Sequence, residues 1–209
     1  RKGKVLVGFR ERSSPYVADL HECHVLVEPV GALITPLGQM VESLTIASRV
    51  PQAEVAVSDD IVALVLRVLD PPAPADLERM AAFEREFSVR IYLQPGGPGT
   101  IAPLDPSRAP APLSYGLPDH GISIDFEPTD FVQINGALNQ AMIARALDVL
   151  EPQAGATVLD LFCGLGNFSL PLARRTGQVV AVEGDAGLVQ RARGNAGRNG
   201  ITNVEFHVA

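Results

Sequence analysis

A short acidic and glycine-containing motif in the last third of the chain has the composition of a ligand-binding turn. Asp160 lies near the end of an apolar run at 158–162, and Gly164 and Gly166 follow that run. Glycines at such a turn let the backbone approach a ligand where a Cβ atom would collide with it. Glu183 ends the next apolar run, seventeen residues after Gly166, where a carboxylate can accept hydrogen bonds from two ribose hydroxyls. Together these residues predict a site for a ligand that contains a nucleoside.

The form of this turn separates two kinds of nucleoside ligand. In dinucleotide-binding folds the motif Gly-x-Gly-x-x-Gly follows the strand at once, so that a pyrophosphate meets the N–H groups of a helix. Here Asp160 precedes the turn and Ser169 stands at the third glycine position. Both features favour a cationic ligand without phosphate, such as S-adenosylmethionine with its sulfonium, ammonium and ribose hydroxyls. The alternative is a structural turn whose glycines only pack a helix, with Glu183 in solvent.

The elements that must position these residues predict a parallel sheet. Apolar runs alternate with helical patterns, and their short connections favour parallel pairing of the strands. The predicted strands cover 158–162, 178–183 and 204–208, and the predicted helices cover 167–175 and 185–199.

A further helix is predicted before this sheet. Asn135 is placed to cap it, and Glu151 with Pro152 ends it. A strand at 121–126 precedes the helix. The apolar residues expected on its inner face are Leu138, Met142, Ile143, Ala146, Leu147 and Leu150.

The first half of the chain predicts an α/β domain with antiparallel hairpins. Turn residues at 11–15 predict a hairpin over 4–18, and a second hairpin is predicted from the β-rich runs 53–57 and 61–69. The remaining predicted elements are an amphipathic helix within 30–47 carrying Leu33, Leu37, Val41 and Leu44, a helix at 76–87, a strand at 89–93 and a long loop at 94–112. We expect domains at 1–126 and 127–209, with the boundary near Glu127.

Composition places the chain among soluble globular proteins. Its 209 residues are 46% hydrophobic and 20% charged, which excludes wholesale disorder, collagen and coiled coil. The chain has no apolar run as long as a membrane span and no secretory signal, so we expect a cytoplasmic protein. It opens on Arg1 and both ends resemble strands, which favours a piece of a larger protein. The formal net charge of −7 does not indicate nucleic acid, although Lys4, Arg10 and Arg12 are candidates for contacts to RNA phosphates.

Two segments resemble a known family. The run FEPTDFVQIN at 126–135, followed by a helix and then by DLFCGLGNF at 160–168, resembles the RNA uracil-C5 methyltransferases. The Gly-Leu-Gly-Asn-Phe form of the loop, with VGFR at 7–10 and Cys23, is most similar to the iron–sulfur members that act on 23S rRNA. The resemblance covers nearly the whole chain and is most specific over 126–184. It implies that the second domain is the first half of a Rossmann-like, S-adenosylmethionine-dependent methyltransferase domain.

The resemblance also implies roles for individual residues in cofactor binding. Gln133, Phe162, Asn167 and Glu183 match cofactor-binding positions of the family, and they join Asp160, Gly164 and Gly166 from the turn itself. From its residue type alone, Gln133 is only a polar residue before a helix cap, and Phe162 is more often a core residue than a wall for adenine.

Cys23 is a candidate metal ligand through the resemblance only. By itself it is a partly buried thiol between His21 and His24. An iron–sulfur cluster needs four thiolates, and the resemblance makes Cys23 the fourth ligand of a [4Fe–4S] cluster whose other three ligands precede this chain. We therefore expect the cluster in the parent protein and not in these 209 residues.

Catalytic residues are not expected in this chain. Methylation at C5 of uracil requires a thiolate to add at C6, so that C5 becomes nucleophilic, and a base to remove the C5 proton afterwards. Cys163 lies on the cofactor loop, and the resemblance places both nucleophile and base beyond Ala209. The cysteines also lie far apart, which gives no disulfide framework.

The function predicted from the sequence is S-adenosylmethionine-dependent methylation of C5 of a uridine in 23S rRNA by the parent protein. Its partner is 23S rRNA, and neither a membrane nor a protein partner is implied. Two alternatives stay open. One is a small-molecule or protein methyltransferase that shares only the cofactor fold, and the other is an RNA-binding module without catalysis.

Overall fold

The computed structural model describes residues 4–107 and 112–209, which form two compact units. The first unit contains residues 4–57 and 61–107, and the second contains 58–60 and 112–209. Contacts thus group residues 112–126 with the second unit, while a domain boundary near Glu127 stays a prediction. Within the described residues, no helix combines the length and the apolar character needed to cross a membrane.

The first unit is a four-stranded sheet with two helices. The strand order is β1-β2-β3-β4, with β1–β2 and β3–β4 antiparallel and β2–β3 parallel. The predicted second hairpin is therefore confirmed, and helix α2 is the crossover between the parallel strands. The elements are α1 (Ile34–Ser43), β1 (Gln52–Val57), β2 (Val62–Arg67), α2 (Pro74–Phe87), β3 (Val89–Gln94) and β4 (Ala102–Pro103).

The apolar stripe predicted for the first helix is confirmed as core. Leu33, Leu37, Val41 and Leu44 are all buried and pack in the same cluster as the central strand β2. The loop predicted over 94–112 contains the short strand β4, and its residues 108–111 lie outside the described residues.

The hairpin predicted over 4–18 forms only in part. Arg10 and Val17 make an antiparallel bridge. The backbone N–H groups of Glu11 and Ala18 donate to the carbonyls of Tyr16 and Phe9, each at 2.9 Å. The chain does reverse at the predicted turn, but no extended strands are formed on either side of it.

The second unit combines a two-stranded ribbon, a three-stranded parallel sheet and three helices. The sheet has the order β7-β8-β9 with both pairs parallel, as predicted. The ribbon pairs β5 with β6, and β5 was not predicted. The elements are β5 (Leu113–Leu117), β6 (Ile122–Phe126), α3 (Gly136–Leu150), β7 (Thr157–Leu161), α4 (Ser169–Ala173), β8 (Gln178–Glu183), α5 (Ala186–Arg198) and β9 (Val204–Val208).

Helix α3 begins and ends as predicted but buries a different face. The Asn135 side chain accepts a hydrogen bond from the backbone N–H of Leu138 at 3.0 Å, which caps the helix. Ile143 is buried, whereas Leu138 and Leu150 are each 56% exposed, so their assignment to the inner face was wrong. The buried stripe consists of Asn139, Ile143 and Leu147, because the polar side chain of Asn139 has partners inside the unit.

Asn195 of α5 and Asn199, the residue that caps its C-terminus, bind the edge of strand β6. The Asn199 amide accepts from the backbone N–H of Ser123 at 2.9 Å and donates to its carbonyl at 2.7 Å. The Asn195 amide does the same for Asp125, at 2.9 and 3.1 Å. This set, which we name the asparagine ladder, gives β6 the hydrogen bonds that another strand would supply and fixes the ribbon to α5.

Candidate cofactor-binding site

The predicted site residues meet at the carboxyl ends of β7 and β8. In parallel α/β sheets this edge is where ligands bind. Leu161 is paired with Val182 in the β7–β8 register, and the backbone N–H of Cys163 donates to the Val182 carbonyl at 3.0 Å. The chain therefore stays bound to β8 as far as Cys163, within residues 162–168, which we name the cofactor loop.

The backbone of the cofactor loop explains its glycines. Gly164 has φ 54° and Gly166 has φ 93°, a region that favours glycine. A Cβ atom on Gly166 would also lie 3.1 Å from Leu170 Cγ, whereas one on Gly164 would meet nothing within 4 Å. Gly166 thus packs the loop, and Gly164 faces open space where a ligand can approach.

Phe162 departs from the interpretation based on its residue type alone. It has φ 63° and is 87% exposed, so the suggestion of a core residue was wrong. A left-handed conformation costs a non-glycine residue on the order of 1–3 kcal/mol, and such positions concentrate at functional sites. The exposed ring stands at the end of β7, where it is available to stack on a flat ligand.

Glu183 is held by backbone groups of both strand ends. Its Oε2 atom accepts from the N–H of Gly164 at 3.0 Å. Its Oε1 atom accepts from the N–H groups of Gly184 at 2.7 Å and Asp185 at 3.2 Å. Glu183 thus has three backbone N–H partners, and its role towards a ligand stays a prediction. Since a carboxylate offers about four acceptor positions, Glu183 keeps one position for a ligand in this arrangement.

Asp160 lies beneath the loop and points to the start of α4. Its Oδ2 atom accepts a hydrogen bond from the Ser169 hydroxyl, and Ser169 is fully buried. Burial raises the pKa of Asp160, and the hydrogen bonds from Ser169 act in the opposite direction. The residue at the third glycine position therefore serves as the partner of Asp160, which explains why these two departures from a dinucleotide motif occur together.

Cys163 is a poor nucleophile in this environment. Its side chain is buried, and burial raises the pKa of the thiol to about 11, with further contributions from the charges of Asp160 and Glu183. At neutral pH the thiol is therefore protonated, whereas the thiolate is the reactive form.

Asn167 is bound to two residues that the sequence did not indicate. Its Oδ1 atom accepts from the Tyr115 hydroxyl at 3.0 Å and from Asn139 Nδ2 at 2.9 Å. Its Nδ2 atom donates to Asn139 Oδ1 at 2.8 Å. The available signal was the polar residue Asn139, four positions before Ile143, in a stripe that is otherwise apolar.

The loop is also held from α5, while Gln133 remains outside these contacts. Asn195 is fully buried and donates from Nδ2 to the Leu165 carbonyl at 3.1 Å. Gln133 is exposed, two residues before the helix cap at Asn135. The structure thus places Asp160, Phe162, Gly164, Gly166, Asn167 and Glu183 around one strand edge, and places Gln133 near the start of α3.

Cys23 belongs to the first unit and is partly buried. Nearby, His24 and Glu22 approach each other at 3.5 Å on the surface. In the part of the chain that the structure describes, no three His, Cys, Asp or Glu side chains are grouped as a metal site. The described residues alone therefore do not fit an iron–sulfur cluster, which needs four thiolates.

Comparison with known proteins gives matches over both units. A family model described as tRNA (Uracil-5-)-methyltransferase matches residues 116–208. The chain is 50% identical over 209 residues to the 23S rRNA (uracil(1939)-C(5))-methyltransferase RlmD of Hahella chejuensis, and 52% identical over 209 residues to that of Alkalilimnicola ehrlichii. Each alignment covers 100% of this chain and 47% of the relative, so the chain spans about half the length of these curated relatives.

A solved structure shows the same fold. The Pyrococcus abyssi tRNA (uracil-54, C5)-methyltransferase, in complex with S-adenosyl-L-homocysteine, superposes with a TM-score of 0.69 at 19% identity. The match covers 97% of this chain and 52% of the Pyrococcus abyssi chain. The predicted α/β fold with a Rossmann-like second unit is therefore confirmed. The resemblance to the RNA uracil-C5 methyltransferases indicated by the motifs is likewise confirmed along the whole chain, with the family model itself matching residues 116–208.

Proposed function

We propose that the full-length protein methylates C5 of a uridine in 23S rRNA with S-adenosylmethionine as methyl donor. The observation that carries this proposal is the Glu183 carboxylate at the end of β8, which is fixed by the N–H of Gly164 in the cofactor loop, together with the exposed ring of Phe162 directly after β7. The names of the relatives, which are 23S rRNA uracil-C5 methyltransferases, support the choice of reaction and substrate.

The site residues fit this cofactor in chemistry. Glu183 can accept from one ribose hydroxyl with its remaining acceptor position, and Phe162 can stack on adenine. The negative charges of Asp160 and Glu183 suit a cation, and the open side of Gly164 admits a ligand close to the backbone. Gln133 is assigned to the same ligand by its motif. When bound, S-adenosylmethionine supplies an electrophilic methyl group on a positively charged sulfur.

The residues that act on the base belong to a part of the protein beyond Ala209 in this proposal. A thiolate must add to C6 of the uracil ring, and a base must then remove the C5 proton. The buried thiol of Cys163 does not meet this requirement at neutral pH, because its pKa is raised to about 11. The target uridine must be unstacked, since attack on C6 needs access to the ring face.

The reversal at residues 9–17 is a candidate surface for RNA. Phe9 and Tyr16, which adjoin the bridge between Arg10 and Val17, are 56% and 69% exposed. Exposed aromatic rings stack on unpaired bases, and arginines contact phosphates. Arg10 and Arg12 are exposed, and no ion pair is found for them among the residues that the structure describes. Lys4 differs, because it pairs with Asp19 at 3.1 Å.

Cys23 is proposed as one ligand of a [4Fe–4S] cluster in the full-length protein. The support is the motif around it and the similarity to relatives over the whole chain. Replacement of Cys23 by serine should lower the iron and sulfide content of the purified full-length protein, and unchanged content would remove Cys23 from the ligand set. An rRNA substrate also supports a cytoplasmic location.

The reaction is tested with full-length protein, tritiated S-adenosylmethionine and 23S rRNA that lacks the modification. We expect tritium in 5-methyluridine after digestion of the RNA to nucleosides. Binding of S-adenosylhomocysteine without transfer to RNA would favour a methyltransferase for another substrate. Binding of RNA without any binding of S-adenosylhomocysteine would favour a module without catalysis.

A further inference from the structure

We propose that Asn139 is a positioning residue for the cofactor, which fixes the cofactor loop through a reciprocal amide pair with Asn167. This inference rests on the proposed function and extends it to a residue outside the family motifs. Asn139 lies on α3 and Asn167 lies in the loop between β7 and α4. The pair therefore joins two separate elements at the site.

The contacts of this pair leave Asn139 little freedom. Asn139 is only 2% exposed, and its amide both donates to and accepts from the Asn167 amide, at 2.9 and 2.8 Å. Both bonds form only when the two amides face each other in this one orientation. Loss of the Asn139 amide would remove two hydrogen bonds from the Asn167 amide. Since an unpaired buried polar group costs about 1–3 kcal/mol, Asn167 would then reorient towards other partners.

The pair also limits what Asn167 can offer to a ligand. Its Oδ1 atom already accepts from Asn139 and from the Tyr115 hydroxyl, and an amide oxygen accepts about two hydrogen bonds. Its Nδ2 atom donates one of its hydrogens to Asn139. Asn167 is thus left with a single N–H, whose direction is set by Asn139. Burial raises the pKa of Tyr115, so the phenol stays protonated as a donor.

The position of Asn139 on its helix connects the two groups of predicted cofactor residues. Its backbone N–H donates to the carbonyl of the cap residue Asn135 at 2.9 Å, in the first turn of α3. Gln133 lies two residues before that cap. The amide pair therefore holds the segment that carries Gln133 at a fixed position from the loop that carries Gly164 and Asn167.

A matched control separates positioning from general stability. Asn203 is a structural asparagine of the same unit, and its Nδ2 atom donates to the carbonyls of Ala173 at 2.9 Å and Thr176 at 3.0 Å. Thr176 lies two residues before the start of β8, at the edge of the sheet opposite to the cofactor loop. Loss of Asn203 should therefore lower stability without changing the loop.

The experiment compares Asn139→Leu and Asn203→Leu in the full-length protein. Calorimetry gives the dissociation constant for S-adenosylhomocysteine, and thermal unfolding gives Tm. We expect both variants to unfold at lower temperature. Only Asn139→Leu should bind more weakly, by on the order of tenfold, while Asn203→Leu stays within about twofold of the wild type. Equal dissociation constants for wild type and Asn139→Leu would overturn the inference.

Two further measurements keep the test decisive. If Asn139→Leu does not fold, Asn139→Asp keeps the side-chain shape but loses the hydrogen bond from Nδ2 to Asn167 Oδ1, and we expect several-fold weaker binding, with Asn203→Asp as its control. Unchanged binding in Asn139→Asp would then overturn the inference. Absence of binding in the wild type itself would instead contradict the proposed function.

Discussion

At the scale of single residues, the Glu183 carboxylate should control cofactor affinity. Glu183→Gln replaces one acceptor oxygen with a donor, which would face either the N–H groups of Gly184 and Asp185 or that of Gly164. Charge-assisted hydrogen bonds contribute about 1.5–3 kcal/mol each. We therefore expect the dissociation constant for S-adenosylhomocysteine, measured by calorimetry on the full-length protein, to rise on the order of tenfold or more.

A second glutamate provides the control for this change. Glu205 lies on β9 with its side chain largely exposed, and it contacts His207 at 3.1 Å and the Gln178 amide at 3.5 Å, away from the cofactor loop. Glu205→Gln removes the same charge from the same sheet, so its dissociation constant should match that of the wild type. Indistinguishable constants for Glu183→Gln and the wild type would show that Glu183 does not touch the cofactor.

Cys163 should react with alkylating reagents only at high pH. Its thiol is buried, and its pKa is raised from 9.0 to about 11, so the thiolate fraction stays small through neutral pH. The raised pKa contributes stability that is present below pH 9.0 and is lost as the pH rises towards about 11. Alkylation by iodoacetamide, followed at Cys163 by peptide mass spectrometry, should rise steeply only above pH 9.0. Rapid modification near pH 7 would contradict the buried, protonated thiol.

Sequence reasoning identified the residues of the site that lie in one local motif and missed those that reach it from elsewhere. Gly164, Gly166 and Glu183 follow from their spacing in adjoining strands and turns. Tyr115 and Asn139 come from other elements, and their residue types are common in surface positions. Their role depends on where the fold brings them, which no local spacing encodes.

At the scale of elements, the two asparagines of the asparagine ladder should contribute unequally to the stability of the second unit. Asn195 is fully buried and bonds the backbone of Asp125 and Leu165. Asn199 bonds Ser123 at an exposed position. We expect Asn195→Leu to lower the free energy of unfolding by about 2–4 kcal/mol, because several buried groups lose partners, and Asn199→Leu by about 1 kcal/mol. Urea denaturation measures both, and a larger effect for Asn199→Leu would contradict the unequal burial.

The reversal at residues 9–17 should contribute to RNA affinity but not to cofactor affinity. Replacing Arg10 and Arg12 by glutamine should weaken binding of 23S rRNA fragments and reduce the salt slope by about one per arginine. Lys4→Gln should have a smaller effect, because Lys4 already pairs with Asp19. Filter binding at several salt concentrations measures the slopes. An unchanged slope in the double arginine variant would exclude this surface, and an unchanged dissociation constant for S-adenosylhomocysteine would confirm that the fold is intact.

Local patterns predicted most helices and strands because periodicity and caps are local properties. They did not predict β5, whose sequence LSYGL at 113–117 is short, contains Gly116 and directly follows the proline-rich stretch, and whose strand form depends on pairing with β6. The inner face of α3 was misplaced for a similar reason. An apolar stripe was chosen through Leu138 and Leu150, whereas the real stripe includes the polar Asn139.

At the scale of the whole molecule, the 209-residue chain alone should not transfer a methyl group to RNA. One of its two thiols, Cys163, has its pKa raised to about 11, and the other, Cys23, belongs to the first unit. We expect no tritium above background in 23S rRNA with this chain, and clear transfer with the full-length protein as control. Transfer by the chain alone, abolished in Cys163→Ser, would make Cys163 the nucleophile.

Global composition gave less information than local segments did. The net charge of −7 favoured no nucleic-acid partner, whereas the curated relatives carry the name of an rRNA methyltransferase. Charge averaged over a chain does not describe a short basic segment such as 9–17. The contacts group the ribbon of β5 and β6 with the second unit, because Asn195 and Asn199, far along the sequence, bind β6, while the boundary near Glu127 stays a prediction.

The asparagine ladder also sets the register of the ribbon, because its two asparagines fit one alignment of β6 along α5. Four residues along a helix advance about 6.0 Å, and two residues along a strand advance about 6.6–6.8 Å. These two spacings differ little, so Asn195 and Asn199 reach Asp125 and Ser123 at the same time. The difference would be larger for a third residue farther along the helix. A shift of the strand by two residues would leave one of the two asparagines without its partner on β6. Since Tyr115 is paired with Ile124 across the ribbon, this coincidence on α5 determines where the phenol meets the cofactor loop.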